Sequence, residues 1–207
     1  PLNDRPTSMM AAKLYEATGA EWLAIAGAHR YALVDGTTHC GDEKINCGAD
    51  VARDHFVIGV DTTWYVTAFQ LFHEATSHDN SVSVSLHGYK HENHTDDFPN
   101  TGVVISNGCD ENGAIISPSD LSLSINYYLN QLDIWDDNEC GYEFGSVIVA
   151  DAFDEYKNLK ACKNPQGKFT NTNNFSDEWI HIEIEECIRL NIDLADSITI
   201  DFHKTLF

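Results

Sequence analysis

Basic side chains are scarce in this sequence: 12 Lys and Arg stand against 33 Asp and Glu, a formal net charge of −21 at pH 7. Nucleic-acid binding rests on a cationic footprint that releases counterions from phosphates, so no DNA or RNA partner is expected. The same repulsion disfavours anionic lipid headgroups, and no apolar run approaches the roughly 18 to 20 residues that span a bilayer. A soluble chain with no membrane partner is predicted. Several catalytic signatures are missing as well. There is no G-x-S-x-G elbow for a serine nucleophile, no phosphate-cradling P-loop and no dinucleotide-binding G-x-G-x-x-G. None of the cysteines forms a C-x-x-C pair, which removes zinc-knuckle and thioredoxin-like spacing.

What is present is a core. With 43% apolar and 11% aromatic residues, the acidity does not signal disorder, which requires low hydrophobicity too. At 207 residues without a Pro/Ser/Gly-rich linker, a single domain over residues 1–207 is expected. The longest polar stretch, Lys163 to Asp177, reads as one loop.

The six cysteines, Cys40, Cys47, Cys109, Cys140, Cys162 and Cys187, are even in number and scattered. In an acidic, lysine-poor chain this predicts three disulfides and an oxidising compartment. Nearest-neighbour reasoning pairs Cys40 with Cys47 across a short polar loop, then Cys140 with Cys162 and Cys109 with Cys187. Two glycosylation sequons, Asn93-His94-Thr95 and Asn174-Phe175-Ser176, agree with a secreted glycoprotein. The opening at Pro1-Leu2-Asn3-Asp4 fits either a removed signal peptide or a truncated sequence.

Periodicity places the elements. Met10, Ala11, Leu14, Tyr15 and Ala17 recur at helical spacing between Thr7, a plausible N-cap, and Gly19. Trp22 to Ala26 reads as a short buried strand, and Thr62 to Glu74 as a helix. Ser81 to Leu86 alternates strictly before His87-Gly88; Gly102 to Ser106 is continuous and ends at Asn107-Gly108. A helix from Leu121 to Leu132, capped by Ser119 or Asp120, a strand from Ser146 to Ala150, an alternating strand from Trp179 to Ile184 and a helical tail from Asp193 to Leu206 complete the order. Strands separated by helices predict an α/β fold: a three-layer sandwich about a central mixed or mostly parallel sheet. The active crevice of such a sheet lies beyond strand carboxyl ends.

Position then sorts the ten histidines. His87 closes an apolar strand, and Gly88 after it lets a ligand or metal approach the backbone. His29 occupies the equivalent place after the Trp22 strand, beside Arg30, whose fork suits a substrate carboxylate. His73 and His78 are five apart rather than four, so a helix turns one away from the other and the zincin signature fails. His91, Glu92, His94, Asp96 and Asp97 read as a solvated turn. His181 and Glu183 are two apart on one strand, hence on one face, with isoleucines on the other. A carboxylate on such a strand is costly to bury without a metal, a cation or a catalytic duty. Glu183 is the expected general base and acid. Glu185 and Glu186 read as the solvated start of a helix.

In order along the chain, Pro1-Leu2-Asn3-Asp4, Ala28-His29-Arg30, Ser85-Leu86-His87-Gly88, Val104 to Gly108 and Ile182-Glu183-Ile184 with Arg189 resemble the zinc-carboxypeptidase-like hydrolases. The likeness is to their poly-gamma-glutamate hydrolase and N-formylglutamate amidohydrolase-like branch. The resemblance implies a zinc cofactor held by Asp4 and His87, with a further His expected just before Pro1, outside the sequence. It implies Glu183 as the catalytic carboxylate that activates a metal-bound water. Arg30 then anchors a substrate carboxylate, His29 supplies a secondary contact and Asn107 lines the crevice. The expected partner is a small-molecule or peptide substrate, cut at an amide or peptide bond beside a free carboxylate. Two other readings stand beside this one: an inert secreted binding module on the same architecture, and a copper-binding secreted protein using an amine and histidines.

Overall fold

The computed structural model describes residues 6–23, 25, 82–93, 101–110, 112–132, 146–149, 159–162, 167, 170–172, 178–191 and 195. Asp4, His29, Arg30, Cys40, Cys47, Cys140 and the helix expected over Thr62 to Glu74 lie outside them.

The first element is the helix α1, Thr7–Thr18. The carbonyl of Pro6 opens it by accepting from Met9 N and Met10 N at 2.8 and 3.2 Å, so Thr7 is its first helical residue and not its cap. Gly19, with φ of 63°, ends it in a left-handed turn. The strand expected from Trp22 is absent among the described residues: 22, 23 and 25 carry no regular structure, and Leu23 and Ile25 are 37% and 48% exposed. Short apolar runs become strands only where a neighbour completes the hydrogen-bond ladder, and none of the four described strands pairs with this one.

Those strands are β1, Val82–Tyr89; β2, Thr101–Ser106; β3, Ser146–Val149; and β4, Glu178–Glu185. They form one sheet in the order β1-β4-β2-β3. β1 runs parallel to β4, β2 runs parallel to β3, and β2 is antiparallel to β4, so the sheet is mixed and the fold is α/β. Helix α2, Asp120–Leu129, joins β2 towards β3, and α3, Glu186–Leu190, follows β4 directly. Ser119 caps α2 by accepting from Ser122 N at 3.0 Å.

The period of two splits the sheet into two chemically different faces. Val103, Ile105, Val147, Val149, Ile180, Ile182 and Ile184 form one, and pack with Met10 and Leu14 of α1, Ile125 and Leu129 of α2 and Ile188 of α3. Full burial of each such side chain is worth about 2 kcal/mol, so this aliphatic face is the main source of cohesion. The other carries Ser85 and His87 from β1, Trp179, His181, Glu183 and Glu185 from β4, and Ser106 from β2, assigned by register. It too is largely buried.

The disulfides differ from expectation. Cys109 bonds Cys162, with Cα atoms 4.6 Å apart, which overturns both Cys109 with Cys187 and Cys140 with Cys162. Antiparallel pairing of Ser106 with His181 puts Cys109 near the start of β4, whereas Cys187 lies beyond its end. Roughly 25 to 30 Å of extended chain separates the two, against the 7 Å or less that a bridge tolerates. Cys187 is disulfide-bonded to a residue outside those described. The expected loop from Lys163 also contains helical backbone, at 167 and 170–172.

Candidate functional site

Register, not sequence proximity, assembles the polar face. Parallel pairing sets Ser85 beside His181, His87 beside Glu183 and Tyr89 beside Glu185. β1 continues through His87 and Gly88 to Tyr89, so His87 is a strand residue and not a strand-end one. His181 Nε2 lies 3.1 Å from Glu183 Oε1, and both side chains are buried. Glu183 retains only 7% of its surface. The rings of His87 and His181 meet at a centroid distance of 4.8 Å, tilted by 42°. His181 also stacks on the indole of Trp179, with ring centroids 5.5 Å apart and planes 17° from parallel. The structure thus brings together His87, His181 and Glu183, the residues expected from strand positions, and adds Trp179. The signal for Trp179 was present in the alternation, since it sits two residues before His181.

Below this row the chemistry is structural. Glu185, expected in solvent, is buried; Oε2 accepts from Cys187 N at 2.5 Å, capping α3, and Oε1 accepts from His91 N at 3.3 Å. His91 is therefore buried rather than part of a solvated turn. Glu186 fits its expected role, with its side chain 32% exposed and 2.8 Å from Lys90 Nζ. The Tyr89 hydroxyl donates to Thr101 O, and burial, followed by the carboxylates of Glu185 and Glu183, pushes its pKa far up. It remains a phenol at any ordinary pH.

Two further expectations change. What approaches Gly88 is not a ligand but the guanidinium of Arg189, which donates from Nε to Ile184 O at 2.8 Å and from Nη2 to Tyr89 O at 3.3 Å. A Cβ at Gly88 would sit 2.2 Å from Arg189 Cζ, so any other residue there would have to displace the guanidinium from these hydrogen bonds. Arg189 thereby ties the backbones that follow His87 and Glu183. Asn107, expected in the crevice, is a clamp: Nδ2 donates to Trp179 O at 3.0 Å, and Oδ1 accepts from Ser119 N at 3.1 Å. With both ends of its amide engaged, it joins β2 to β4 and to the α2 cap rather than lining a substrate site. Lys160, which carries no signal in the sequence, is 3% exposed, and its carbonyl accepts from Ser106 Oγ at 2.8 Å.

Among the described residues no three His, Cys, Asp or Glu side chains close on a point that a metal ion would occupy, and no helix is long and apolar enough to cross a membrane. No family model, curated protein or solved structure gives a significant match to the chain.

Proposed function

We propose that this chain is a secreted hydrolase that cleaves an amide or peptide bond beside a free carboxylate, with Glu183 as the proton-transferring group. The observation that carries the reading is a buried glutamate held 3.1 Å from an imidazole, with a second imidazole at its register partner. Burial of a carboxylate among strands is costly unless it is paired, and a buried Glu–His pair is suited to moving protons. Glu183 takes a proton from the attacking water and returns it to the departing amine; His181 holds the carboxylate in one orientation while this happens. Arg30 anchors the substrate carboxylate, with His29 as a further contact.

Zinc is the cofactor of this reading, drawing on Asp4 and His87. Among the described residues no closed donor set is present, and in this reading both proton transfers belong to Glu183, with His181 orienting it. The finer architecture proposed is a three-layer sandwich, supported by the burial of side chains on both faces of the sheet. A net charge of −21 disfavours a polyanionic chain as substrate, so a small neutral or cationic amide is the preferred class.

Turnover of N-acyl amino acids and short peptides, with and without added zinc, tests the proposal. Glu183→Gln should lower kcat by about 10² to 10⁴-fold with the fold intact. Undiminished turnover in this variant removes Glu183 from the mechanism, and a wild-type chain that binds no metal and cleaves none of the panel favours the inert-module reading.

A further inference from the structure

We infer that Trp179 is a positioning residue: its indole, closely approached by two glycines, sets the ring plane of His181 and through it the orientation of the Glu183 carboxylate. Trp179 is among the largest fully buried side chains of the described residues, yet it lies on the polar face and outside the aliphatic core. Core packing does not explain it. Its surroundings do. A Cβ at Gly108 would stand 2.8 Å from Trp179 Cζ3, and a Cβ at Gly167 would stand 2.8 Å from both Cη2 and Cζ3. Two backbone segments far apart in sequence thus press directly on the same six-membered ring, an approach that any other residue would block.

The grip is fixed on the β2 side. Gly108 takes the left-handed conformation, φ 75°, and donates from its N to Ser106 Oγ at 2.9 Å. Asn107 holds the Trp179 carbonyl at 3.0 Å, and the next residue after Gly108, Cys109, is covalently tied to Cys162. An indole so confined offers His181 one flat surface, and the imidazole lies on it 17° from parallel. With the ring plane fixed, Nε2 points along the strand face to Glu183 Oε1. Without that surface only the tilted ring of His87 would bound the imidazole, and turning about its Cα–Cβ and Cβ–Cγ bonds would loosen the 3.1 Å contact.

This inference rests on the role proposed for Glu183, but it makes a separate structural claim that does not need turnover. The test compares wild type with Gly108→Ala, Trp179→Leu and Trp179→Phe, each first shown to unfold cooperatively. Proton–carbon NMR of the histidine rings reads the indole ring current on His181, assigned by its loss in His181→Asn. The His181 signals should be displaced upfield in wild type, move towards ordinary values in Gly108→Ala and Trp179→Leu, and recover in part in Trp179→Phe. On a substrate that the wild type cleaves, Gly108→Ala and Trp179→Leu should lower kcat by about 10 to 100-fold with KM within about twofold, and Trp179→Phe should regain most of the loss. Unmoved His181 signals in a folded Gly108→Ala protein overturn the inference, as do moved signals with kcat unchanged. If no substrate is cleaved even by wild type, the hydrolase reading fails, and the NMR comparison alone decides whether Trp179 orients His181. Should Trp179→Leu fail to fold, Gly108→Ala and Trp179→Phe decide it.

Discussion

Among single residues, Glu178 shows how the neighbourhood of an acid translates into stability. It is half-buried at the start of β4; burial raises its pKa above the ordinary 4.5, Asp120 adds to the rise, and hydrogen bonds from Asn107 and Ser122 oppose it. An acid whose folded pKa is raised binds protons more readily in the native than in the unfolded chain. Stability therefore falls as pH rises through the window from the unfolded to the folded value, and it is recovered on acidification through the same window. Glu178→Gln keeps an acceptor for Ser119 Oγ but does not ionise. Urea denaturation of both proteins from pH 7 to pH 4 should show the variant at least as stable at pH 7 and the difference vanishing on acidification. Parallel curves across that range would remove Glu178 from the account. Gly88 carries the opposite lesson. A glycine after a candidate ligand reads from sequence as room for a substrate, but that room is taken by Arg189, which lies a hundred residues along the chain and is visible only once β1 and β4 are paired.

At the level of elements, legibility followed locality. α1 ends where expected because Gly19 is a local signal, and β2 and β4 are clear because four or more alternating or continuous apolar residues are enough to define a strand. His181 and Glu183 could be placed on one face for the same reason. Their meeting with His87 could not, because it depends on the register between β1 and β4, which is set by pairing in space. The strand expected over Trp22 to Ala26 is not seen at the described residues 22, 23 and 25 on the same ground: composition favoured it, and no described strand pairs with it. The α2 cap is a local feature with a tertiary consequence. Ser119 Oγ accepts from Ser122 N at 3.0 Å and also donates to the Glu178 carboxylate, so one hydroxyl both starts a helix and meets β4. Ser119→Ala should cost about 1 to 2 kcal/mol in chemical denaturation, more than an isolated exposed cap. Ser119→Asp restores the helix acceptor but sets a second carboxylate against Glu178, and should be no better than alanine at pH 7. If aspartate instead restores full stability, the contact with Glu178 contributes nothing.

For the molecule as a whole, the disulfide between Cys109 and Cys162 is the long-range restraint that the sequence could not assign, since six cysteines permit 15 pairings. It closes a loop across a sequence separation of 53 and fastens the end of β2 to residues 159–162. There Leu159 and Ala161 hold φ of 59° and 55°, a region costly for side chains with a Cβ, on either side of the buried Lys160. Such a turn persists only if its surroundings enforce it, and the described restraints include this bridge and the hydrogen bond from Ser106 Oγ to Lys160 O at 2.8 Å. On loop-closure entropy the bridge is worth about 4 kcal/mol. For a chain of this size that corresponds to a fall in Tm of roughly 8 to 16 °C on removing it. Cys109→Ala with Cys162→Ala should show that fall in calorimetry, and adding Ser106→Ala should lower Tm further because the turn then loses both of these restraints. The same residues flank the grip on Trp179, so the double cysteine variant should also move the His181 ring signals. A Tm within about 2 °C of wild type would mean that the Ser106 hydrogen bond and the packing of Lys160 hold the turn without the covalent tie.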